Sequence, residues 1–277
     1  MPPSLSADAI RSTLSTRCLG QRMELHDEVD STSREAVRLV QAGVEHGTVV
    51  LADTQTAGRG RLSRQWFSPP GVNIYCSIVL INSAPLDRLS DCLSWLPLLT
   101  ALAASEAIEM VSTVAVSVKW PNDLLIGERK VGGILCESGP LPGSKSFQVI
   151  GVGLNVNGKN QDFPAELRDG ATTIRHESTA EIDRNRVIAQ LLNELEQCLE
   201  EYATRGSERI AQAYNRRCST LGKRIKASLT GGQDFIALAR SIGPDGSLIV
   251  EPHRPESDVR REPIRHLRAA DIIHLRT

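Results

Sequence analysis

The order of strand-like and helix-like segments constrains the fold of this chain most strongly. Short apolar runs rich in Val and Ile alternate irregularly with helical patterns, and several runs follow one another with only a turn between them. A doubly wound fold needs a helix after each parallel strand, so this order argues against one. The pattern predicts an α+β fold, in which helices pack against a mixed or antiparallel β-sheet.

The spacing of apolar residues places the individual elements. Helices are predicted over four ranges: Ser31 to Ala42, Leu89 to Val111, Asp183 to Tyr202 and Ser207 to Cys218. Strands are predicted over six: Thr48 to Ala52, Asn73 to Ile81, Val114 to Lys119, Leu124 to Ile126, Lys130 to Glu137 and Gln148 to Asn157. The capping-box pattern Thr32-Ser-Arg-Glu35 predicts the start of the first of these helices. The polar residues 1–25 are expected to hold one short helix.

The chain changes its texture after Leu221. Short apolar segments are separated there by Gly231-Gly232 and by Gly243-Pro-Asp-Gly246, which is typical of strands joined by tight turns. At roughly 150 residues per domain, a chain of 277 residues corresponds to about two domains. We therefore expect one domain over residues 1–219 and a small β-barrel over residues 220–277.

Charge and cysteine usage exclude several classes of protein. With 32 Lys and Arg against 33 Asp and Glu, the net charge of −1 argues against DNA binding through a general basic surface. The 6 cysteines are scattered without a C-x-x-C pair, which is typical of reduced thiols in the cytoplasm. The N-terminus lacks an apolar signal core, and the most apolar stretch, residues 95–104, is too short to span a bilayer. The 6 histidines are dispersed, so we predict no metal site built by the protein alone.

The densest cluster of functional residue types is the segment from Gly58 to Trp66, here called the arginine–glycine loop. It contains Arg59, Arg61 and Arg64. Glycines let backbone N–H groups approach an anion, and guanidinium groups match carboxylate and phosphate oxygens. A solvated loop or a nuclear-localisation-like basic patch would also be rich in arginine, but the balanced net charge and the embedded Trp66 favour an anionic ligand.

Two further motifs follow along the chain. In Lys119-Trp-Pro-Asn-Asp123, the proline ends a strand and orders a turn, although Asn and Asp are also ordinary turn formers. In Lys130-Val-Gly-Gly-Ile134, the glycines leave room for a ligand beside the lysine, which is equally suited to guard a strand edge.

A glycine-rich strand carries the third signal, Gly151-Val-Gly-Leu-Asn155-Val-Asn157. Glycines at alternate positions leave bare backbone on one strand face, which a ligand or a crossing helix must approach. Asn155 shares that face if the alternation continues. Residues 153–160 nearly match a P-loop, but the final position is Asn160 and Pro164 follows, so we reject that interpretation.

Together these motifs resemble those of the biotin–protein ligases. The family's GRGR-x-x-[RN]-x-W loop is similar to Gly58 to Trp66, and its Ser-Thr-Asn at a helix start is similar to Ser31-Thr32-Ser33. Its remaining blocks, KWPND-L, [RK]K-[LV]-[AGC]-GIL-[VCI]-E and IG-x-G-[IL]-N, are similar to Lys119 to Leu124, Arg129 to Glu137 and Ile150 to Asn155. The motifs keep the family's order within residues 26–157.

The resemblance implies a class II aminoacyl-tRNA-synthetase-like catalytic domain followed by an SH3-like barrel. It implies an ATP-dependent ligase that makes biotinyl-5′-AMP from biotin and MgATP. The biotin would then pass to a lysine of the biotin carboxyl carrier protein of a carboxylase. The chain leaves no room for the DNA-binding domain of repressor-type members, so we expect the monofunctional type, without DNA or membrane partners. Free strand edges would also allow a homodimer.

The resemblance also assigns residues. Ser31 and Thr32 would bind the ureido group of biotin, and Gln55 would contact biotin as well. The predicted catalytic residues are Arg59, Arg61, Lys130 and Asp123. The predicted binding residues are Ser31, Thr32, Ser33, Gln55, Gly58, Arg59, Gly60, Arg61, Trp66, Lys119, Asn122, Lys130, Gly132, Gly133, Gly151, Gly153 and Asn155.

The chemistry agrees with these assignments. Joining a carboxylate to an α-phosphate brings two anions together, which requires cations at fixed positions. No general base is needed, because a carboxylate is already ionised at pH 7. In the second step, Asp123 would accept or orient the proton of the attacking lysine. The glycines of the arginine–glycine loop suggest that it moves when empty and orders over the adenylate.

The chain departs from the family pattern at two places. Ser33 stands where the family has Asn, so the resemblance leaves two roles open: a contact with the ligand, or that of a helix residue only. Ala270-Asp271 stands where a Gly-Glu pair is usual, so the docking of the barrel is expected to differ. Two alternatives remain open: a lipoate or octanoate enzyme of the same fold, and a non-catalytic biotin- or adenylate-binding regulator.

Overall fold

A computed structural model describes residues 3–82, 93–143, 145–229, 234–253, 264–268 and 270–275. The strands within these ranges are β1 (Met23–Val29), β2 (Val49–Gln55), β3 (Ile74–Asn82), β4 (Ser117–Lys119), β5 (Asp123–Ile126), β6 (Arg129–Leu141), β7 (Lys145–Leu154), β8 (Arg224–Ser228), β9 (Asp234–Ile242), β10 (Leu248–Pro252), β11 (Arg265–Leu267) and β12 (Asp271–His274). The helices are α1 (Ala7–Arg11), α2 (Thr32–Gln41), α3 (Leu96–Ser112), α4 (Ile174–Ser178), α5 (Arg184–Arg205) and α6 (Glu208–Arg217).

The larger sheet has seven strands in the order β1-β2-β3-β7-β6-β5-β4. β1 pairs with β2 in parallel, and each of the other neighbouring pairs is antiparallel. The sheet is therefore mixed, and the predicted α+β class is confirmed.

Helices cover the two faces of this sheet unequally. The short α2 packs on one face, where Ala36 and Val40 meet Val50, Val79 and Val149 in a small buried cluster. The longer α3 and α5 belong to the main core against the opposite face. α2 covers only part of this sheet face, so the part of the face beyond the N-terminus of α2 can contact other segments of the chain.

The smaller sheet is antiparallel throughout, in the order β11-β10-β9-β8-β12. Two buried tryptophans from the first part of the chain dock it against the larger sheet. The indole N–H of Trp95 donates to the Pro244 carbonyl at 2.9 Å, and that of Trp120 donates to the Gly246 carbonyl at 3.1 Å. Both acceptors lie in the tight turn between β9 and β10, which confirms the turn predicted over residues 243–246.

The N-terminal segment is bound along α5 by polar side chains. Glu196 accepts hydrogen bonds from the backbone N–H groups of Arg17, Cys18 and Leu19, at 2.5, 2.9 and 2.8 Å. Asn193 accepts from the N–H of Ser15 at 2.8 Å. The carboxylate of Glu196 thus satisfies three backbone donors that a loop cannot satisfy by itself.

Several predicted bounds differ from the structure. The helix predicted over residues 89–111 begins at Leu96 in the described chain, with Pro97 in its first turn and residues 93–95 in a turn; Leu89 to Cys92 lie outside the described residues. The strand predicted from Val114 begins at Ser117. Gly231-Gly232 also lies outside the described residues.

Other strands are longer or shifted. β2 continues to Gln55, so the arginine–glycine loop begins directly at the end of a strand. β7 runs over residues 145–154 and ends three residues before the predicted bound of Asn157. β1 was not predicted, because an exposed edge strand of mostly polar residues lacks the apolar alternation of a half-buried strand.

Among the helices of the described ranges, none combines the length and the apolar character that a membrane span requires.

Residues 17–19, here called the N-terminal strap, donate three backbone hydrogen bonds to Glu196. Glu196→Ala leaves three backbone N–H groups without an acceptor, so we expect it to lower the free energy of unfolding by about 2–3 kcal/mol. Urea denaturation followed by circular dichroism measures this loss. Glu200→Ala is the matched control, since Glu200 is one turn further along α5 and its side chain forms an exposed ion pair with Arg17, worth about 0–1 kcal/mol. Equal losses in the two variants would contradict the proposed strap.

Candidate active site

A cavity of about 290 Å³ opens between the N-terminus of α2, the end of β2 and the middle of β6 and β7. Its volume is close to the lower end of the range for small-molecule sites, about 300 Å³. The arginine–glycine loop forms one wall, and residues that follow β7 form another. Segments far apart in the chain therefore meet at one site.

Hydroxyl groups form one end of the cavity. Ser31, Thr32 and Ser33 all line it and are only 1%, 4% and 5% exposed. The predicted capping box is wrong: Ser31 is the N-cap residue with extended backbone, its side chain makes no capping bond, and Thr32 is the first residue of the helix. The Ser31 hydroxyl is therefore not used by the helix end, and Ser31 lines the cavity.

Gln55 connects this end of the cavity to the arginine–glycine loop. Its side-chain oxygen accepts from the backbone N–H of Thr32 at 2.9 Å and from the Thr32 hydroxyl at 3.3 Å. Its amide nitrogen donates to the Ser68 hydroxyl at 2.9 Å, and that hydroxyl donates to the Trp66 carbonyl at 3.1 Å. The end of β2 therefore fixes both the start of α2 and the exit of the loop.

Two glycines of β7 make the floor of the cavity. A Cβ at Gly151 would lie 2.7 Å from the Ser33 hydroxyl oxygen, and one at Gly153 would lie 2.6 Å from the Trp66 indole. Only glycine allows such close contacts. The sequence left open whether a ligand or a helix approaches this strand face, and in the structure the first turn of α2 and the Trp66 side chain cross it. β7 ends at Leu154, so Asn155 does not continue the alternation, yet it lines the cavity from just beyond the strand.

The arginines of the loop reach different parts of the chain. Arg59 donates to Glu137 on β6 at 2.8 Å. Arg61 donates to the Asn122 side-chain oxygen at 3.0 Å and to the Ala270 carbonyl at 3.2 Å. The loop therefore spans from one sheet to the other.

Charge around the cavity is largely paired. Arg64 forms an ion pair with Asp271 and holds the pKa of that carboxyl below its usual range. Lys130 Nζ lies 2.6 Å from the Asp123 Oδ1 and 5.5 Å from the Trp66 ring centre. Arg61 instead bonds two neutral oxygens, and its burial lowers the pKa of its guanidinium. Of the four cations Arg59, Arg61, Arg64 and Lys130, Arg61 thus has the least compensated positive charge, which favours an anionic ligand beside it.

Most of the predicted site residues meet at this cavity. Those that line it are Ser31, Thr32, Ser33, Gln55, Arg59, Gly60, Arg61, Trp66, Asn122, Asp123, Lys130, Gly133, Gly151, Gly153 and Asn155. Three do not. The space beside Gly132 is filled by Leu124 and Leu154, and that beside Gly58 by the Ser68 hydroxyl and the Trp66 carbonyl. The third, Lys119, is half-buried, and its burial lowers the pKa of its ammonium group.

Sequence reasoning missed several lining residues. Tyr75 is buried on β3, and its hydroxyl donates to the Pro69 carbonyl at 2.8 Å, which anchors the loop exit. The sequence contained a pattern that could have identified Tyr75, because Tyr75 and Ser77 are alternate polar residues in an otherwise apolar strand. Phe163, Leu167 and Ala171 add an apolar wall from an irregular segment that carries no sequence signal.

The arrangement can bind a molecule with two different ends. Uncharged hydroxyl groups suit a polar, neutral group, whereas Arg59, Arg61 and Lys130 suit carboxylate or phosphate oxygens. The apolar wall and Trp66 suit a flat ring. Within the described residues there is no group of three His, Cys, Asp or Glu that could hold a metal ion.

The chain is similar to known proteins over nearly all of its length. A model of the biotin/lipoate A/B protein ligase family matches residues 26–157. The bifunctional ligase/repressor BirA of Bacillus subtilis is 35% identical over 271 residues, which cover 98% of this chain and 79% of that protein. The biotin–[acetyl-CoA-carboxylase] ligase of Mycobacterium tuberculosis is 31% identical over 280 residues, covering 99% of this chain and 97% of that protein.

The fold agrees with these relationships. The biotin protein ligase of Aquifex aeolicus, solved in complex with biotin and ATP, superimposes with a TM-score of 0.74 at 28% identity. The match covers 93% of this chain and 100% of that one. This chain is therefore a member of the biotin–protein ligases, within the biotin/lipoate A/B protein ligase family.

Proposed function

We propose that this chain activates biotin with MgATP to biotinyl-5′-AMP and transfers the biotin to a lysine of the carrier protein of a biotin-dependent carboxylase. The observation that carries the proposal is the division of one cavity into a hydroxyl-lined end and a cationic end. Biotin has a neutral cyclic urea at one end and a carboxylate at the other, so it matches both ends at once.

The hydroxyl-lined end separates biotin from a fatty acid or lipoate. An aliphatic chain would cover the Ser31 hydroxyl, which makes no capping bond, and the unused lone pairs of Thr32 and Ser33 without offering them hydrogen bonds, at a cost of about 1–3 kcal/mol per unsatisfied group. The ureido group supplies a carbonyl oxygen and two N–H groups instead. In the proposed complex, Ser31 and Thr32 bind this group and Gln55 holds Thr32 in place.

The cationic end would bring the two anions together. Arg59 and Arg61 hold the biotin carboxylate and the α-phosphate, and Lys130 bridges the reacting oxygens. A carboxylate oxygen attacks the α-phosphorus, and pyrophosphate leaves. Fixed cations lower the barrier because they need no reorganisation as charge shifts toward the leaving group.

Mg²⁺ fits this site as a companion of ATP. Mg²⁺ is usually held by one or two carboxylates together with substrate phosphates, and the cavity carboxylates Asp123 and Asp271 each pair with a cation. We therefore assign most of its ligands to the phosphates, whose charge it neutralises when bound. Adenine would stack in the region of Trp66, near the apolar wall formed by Phe163 and Leu167.

The remaining assignments concern the whole chain. We propose that residues 1–219 form the catalytic domain and residues 220–277 an SH3-like barrel, for which the five-stranded antiparallel sheet is the support. We further propose that the protein acts in the cytoplasm. A homodimer could form along β6, because β5 pairs with β6 only as far as Gly133.

The reaction is tested by biotin-dependent exchange of labelled pyrophosphate into ATP. We expect exchange with biotin and Mg²⁺, and none with lipoate or octanoate, because neither acid offers a urea to the hydroxyl groups. Transfer is then tested with a purified carrier domain and a variant of it whose acceptor lysine is Arg. Exchange with octanoate but not with biotin would contradict the proposed substrate.

Arg61 is expected to retain the adenylate. Arg61→Gly removes a partly buried cation and two hydrogen bonds that tie the loop to Asn122 and Ala270. We expect biotinyl-AMP to dissociate roughly 10- to 100-fold faster. Stopped-flow release and labelling of an unrelated protein's lysines measure this effect. Arg17→Gly, which removes an exposed arginine that does not line the cavity, is the control, and unchanged retention in Arg61→Gly would refute the role.

Asp123 is expected to act through Lys130. The 2.6 Å ion pair fixes the ammonium group, so Asp123→Asn should slow both pyrophosphate exchange and transfer, by roughly tenfold. A loss confined to the transfer step would instead assign Asp123 to the proton of the carrier lysine. Asp234→Asn, which breaks a 2.7 Å ion pair with Lys226 on the smaller sheet, controls for the loss of a charge pair.

A further inference from the structure

Behind the hydroxyl-lined end of the cavity lies a residue that sequence reasoning did not single out. Ser77, on β3, is completely buried and is not part of the cavity lining. Its hydroxyl lies 2.9 Å from that of Thr32 and 3.1 Å from that of Ser33. We propose that Ser77 is a positioning residue that fixes Ser33 as a hydrogen-bond acceptor for a ureido N–H of biotin. The proposal rests on the biotin-binding function proposed above.

The direction of this hydrogen-bond chain is set at Gln55. The backbone N–H of Thr32 can only donate, so the atom of Gln55 that faces it must be the side-chain oxygen. The Thr32 hydroxyl donates to the same oxygen. The lone pairs of the Thr32 hydroxyl oxygen are then available to accept a hydrogen bond from Ser77.

The single proton of Ser77 is used next. Ser77 donates to the Thr32 hydroxyl, and a serine hydroxyl carries only one proton. In the 3.1 Å contact between Ser77 and Ser33, Ser33 must therefore be the donor. With its own proton committed to Ser77, Ser33 has only lone pairs left for a ligand.

Ser33 holds these lone pairs at the floor of the cavity. Its hydroxyl oxygen would lie 2.7 Å from a Cβ at Gly151, so it lies directly over this bare glycine, and both residues line the cavity. The Ser31 hydroxyl, which makes no capping bond, can offer its own proton to the ligand. An acceptor and a donor two residues apart match the N–H and the carbonyl oxygen of a cyclic urea.

In the proposed arrangement, Ser33 has a function at the position where the family motif has Asn. An Asn side chain carries both a donor and an acceptor, and its orientation decides which one faces the ligand. A serine hydroxyl rotates freely, so it presents a defined acceptor only if a neighbour takes its proton. Ser77 is that neighbour.

The test is biotin affinity by isothermal titration calorimetry in Ser33→Ala, Ser77→Ala and the double variant. Each lost neutral hydrogen bond should weaken biotin binding roughly five- to tenfold and leave ATP affinity unchanged. The double variant should be no weaker than Ser77→Ala alone, because Ser77 acts through Ser33 and its partner Thr32. Ser105→Ala is the control: Ser105 is equally buried but bonds the Leu102 carbonyl inside α3.

Two carbamate analogues of biotin, each with one ureido N–H replaced by oxygen, test the polarity without altering the protein fold. The analogue that lacks the N–H facing Ser33 should bind wild type at least about tenfold more weakly than biotin, because two acceptors then meet. In Ser33→Ala, that difference should largely disappear.

The outcomes separate the two proposals. Absence of biotin binding by the wild-type chain would overturn the proposed function itself. Biotin binding by wild type, with unchanged affinity in both serine variants, would overturn only the roles of Ser33 and Ser77. Additive losses in the double variant, or equal penalties for both carbamates in wild type and Ser33→Ala, would do the same.

Discussion

The guanidinium of Arg61 joins three parts of the chain at one point. The arginine–glycine loop supplies it, the turn before β5 binds it through Asn122, and the smaller sheet binds it through the Ala270 carbonyl. Both partners are neutral oxygens, so the group is held in place while its charge stays available. A reaction that joins two anions depends on such a cation. A mobile cation would lose binding energy when it is ordered, and a carboxylate partner weakens the field that a cation exerts on the ligand.

This contact makes the smaller sheet part of the site. Trp95 and Trp120 dock the turn between β9 and β10, and that docking carries the start of β12 to the loop. Arg64 reinforces the contact through Asp271. The Ala270-Asp271 pair thus contacts the arginine–glycine loop through a backbone carbonyl and a carboxylate. A backbone carbonyl is independent of the side chain that bears it, so Ala270 can serve as the acceptor despite differing from the family's glycine.

The opposite end of the cavity depends on close packing instead of charge. Gly151 and Gly153 allow Ser33 and Trp66 to lie directly on the sheet, and Gln55 ties the start of α2 to the exit of the loop. The polarity of the Ser33, Ser77 and Thr32 hydroxyl groups follows from this packing, since each donates its single proton to the next group toward Gln55. The two ends of the site therefore select by different physical means.

Local sequence was enough to predict the mixed sheet and most of the strands and helices. The resemblance of its motifs to a known family supplied eighteen site residues, and fifteen of these line the cavity. Those predictions rest on short-range periodicity and on motifs whose members lie close together in the chain. Local sequence did not predict β1, because this exposed edge strand lacks an apolar pattern. It also did not predict Ser31 as the N-cap residue, because the Ser31 side chain makes no capping bond. The partners of Arg61 and Arg64 in the smaller sheet, and the link between Ser33 and Ser77, join residues dozens to hundreds of positions apart. Such contacts are created only when the sheets and helices pack, because nothing in the local sequence specifies which distant side chain will meet them.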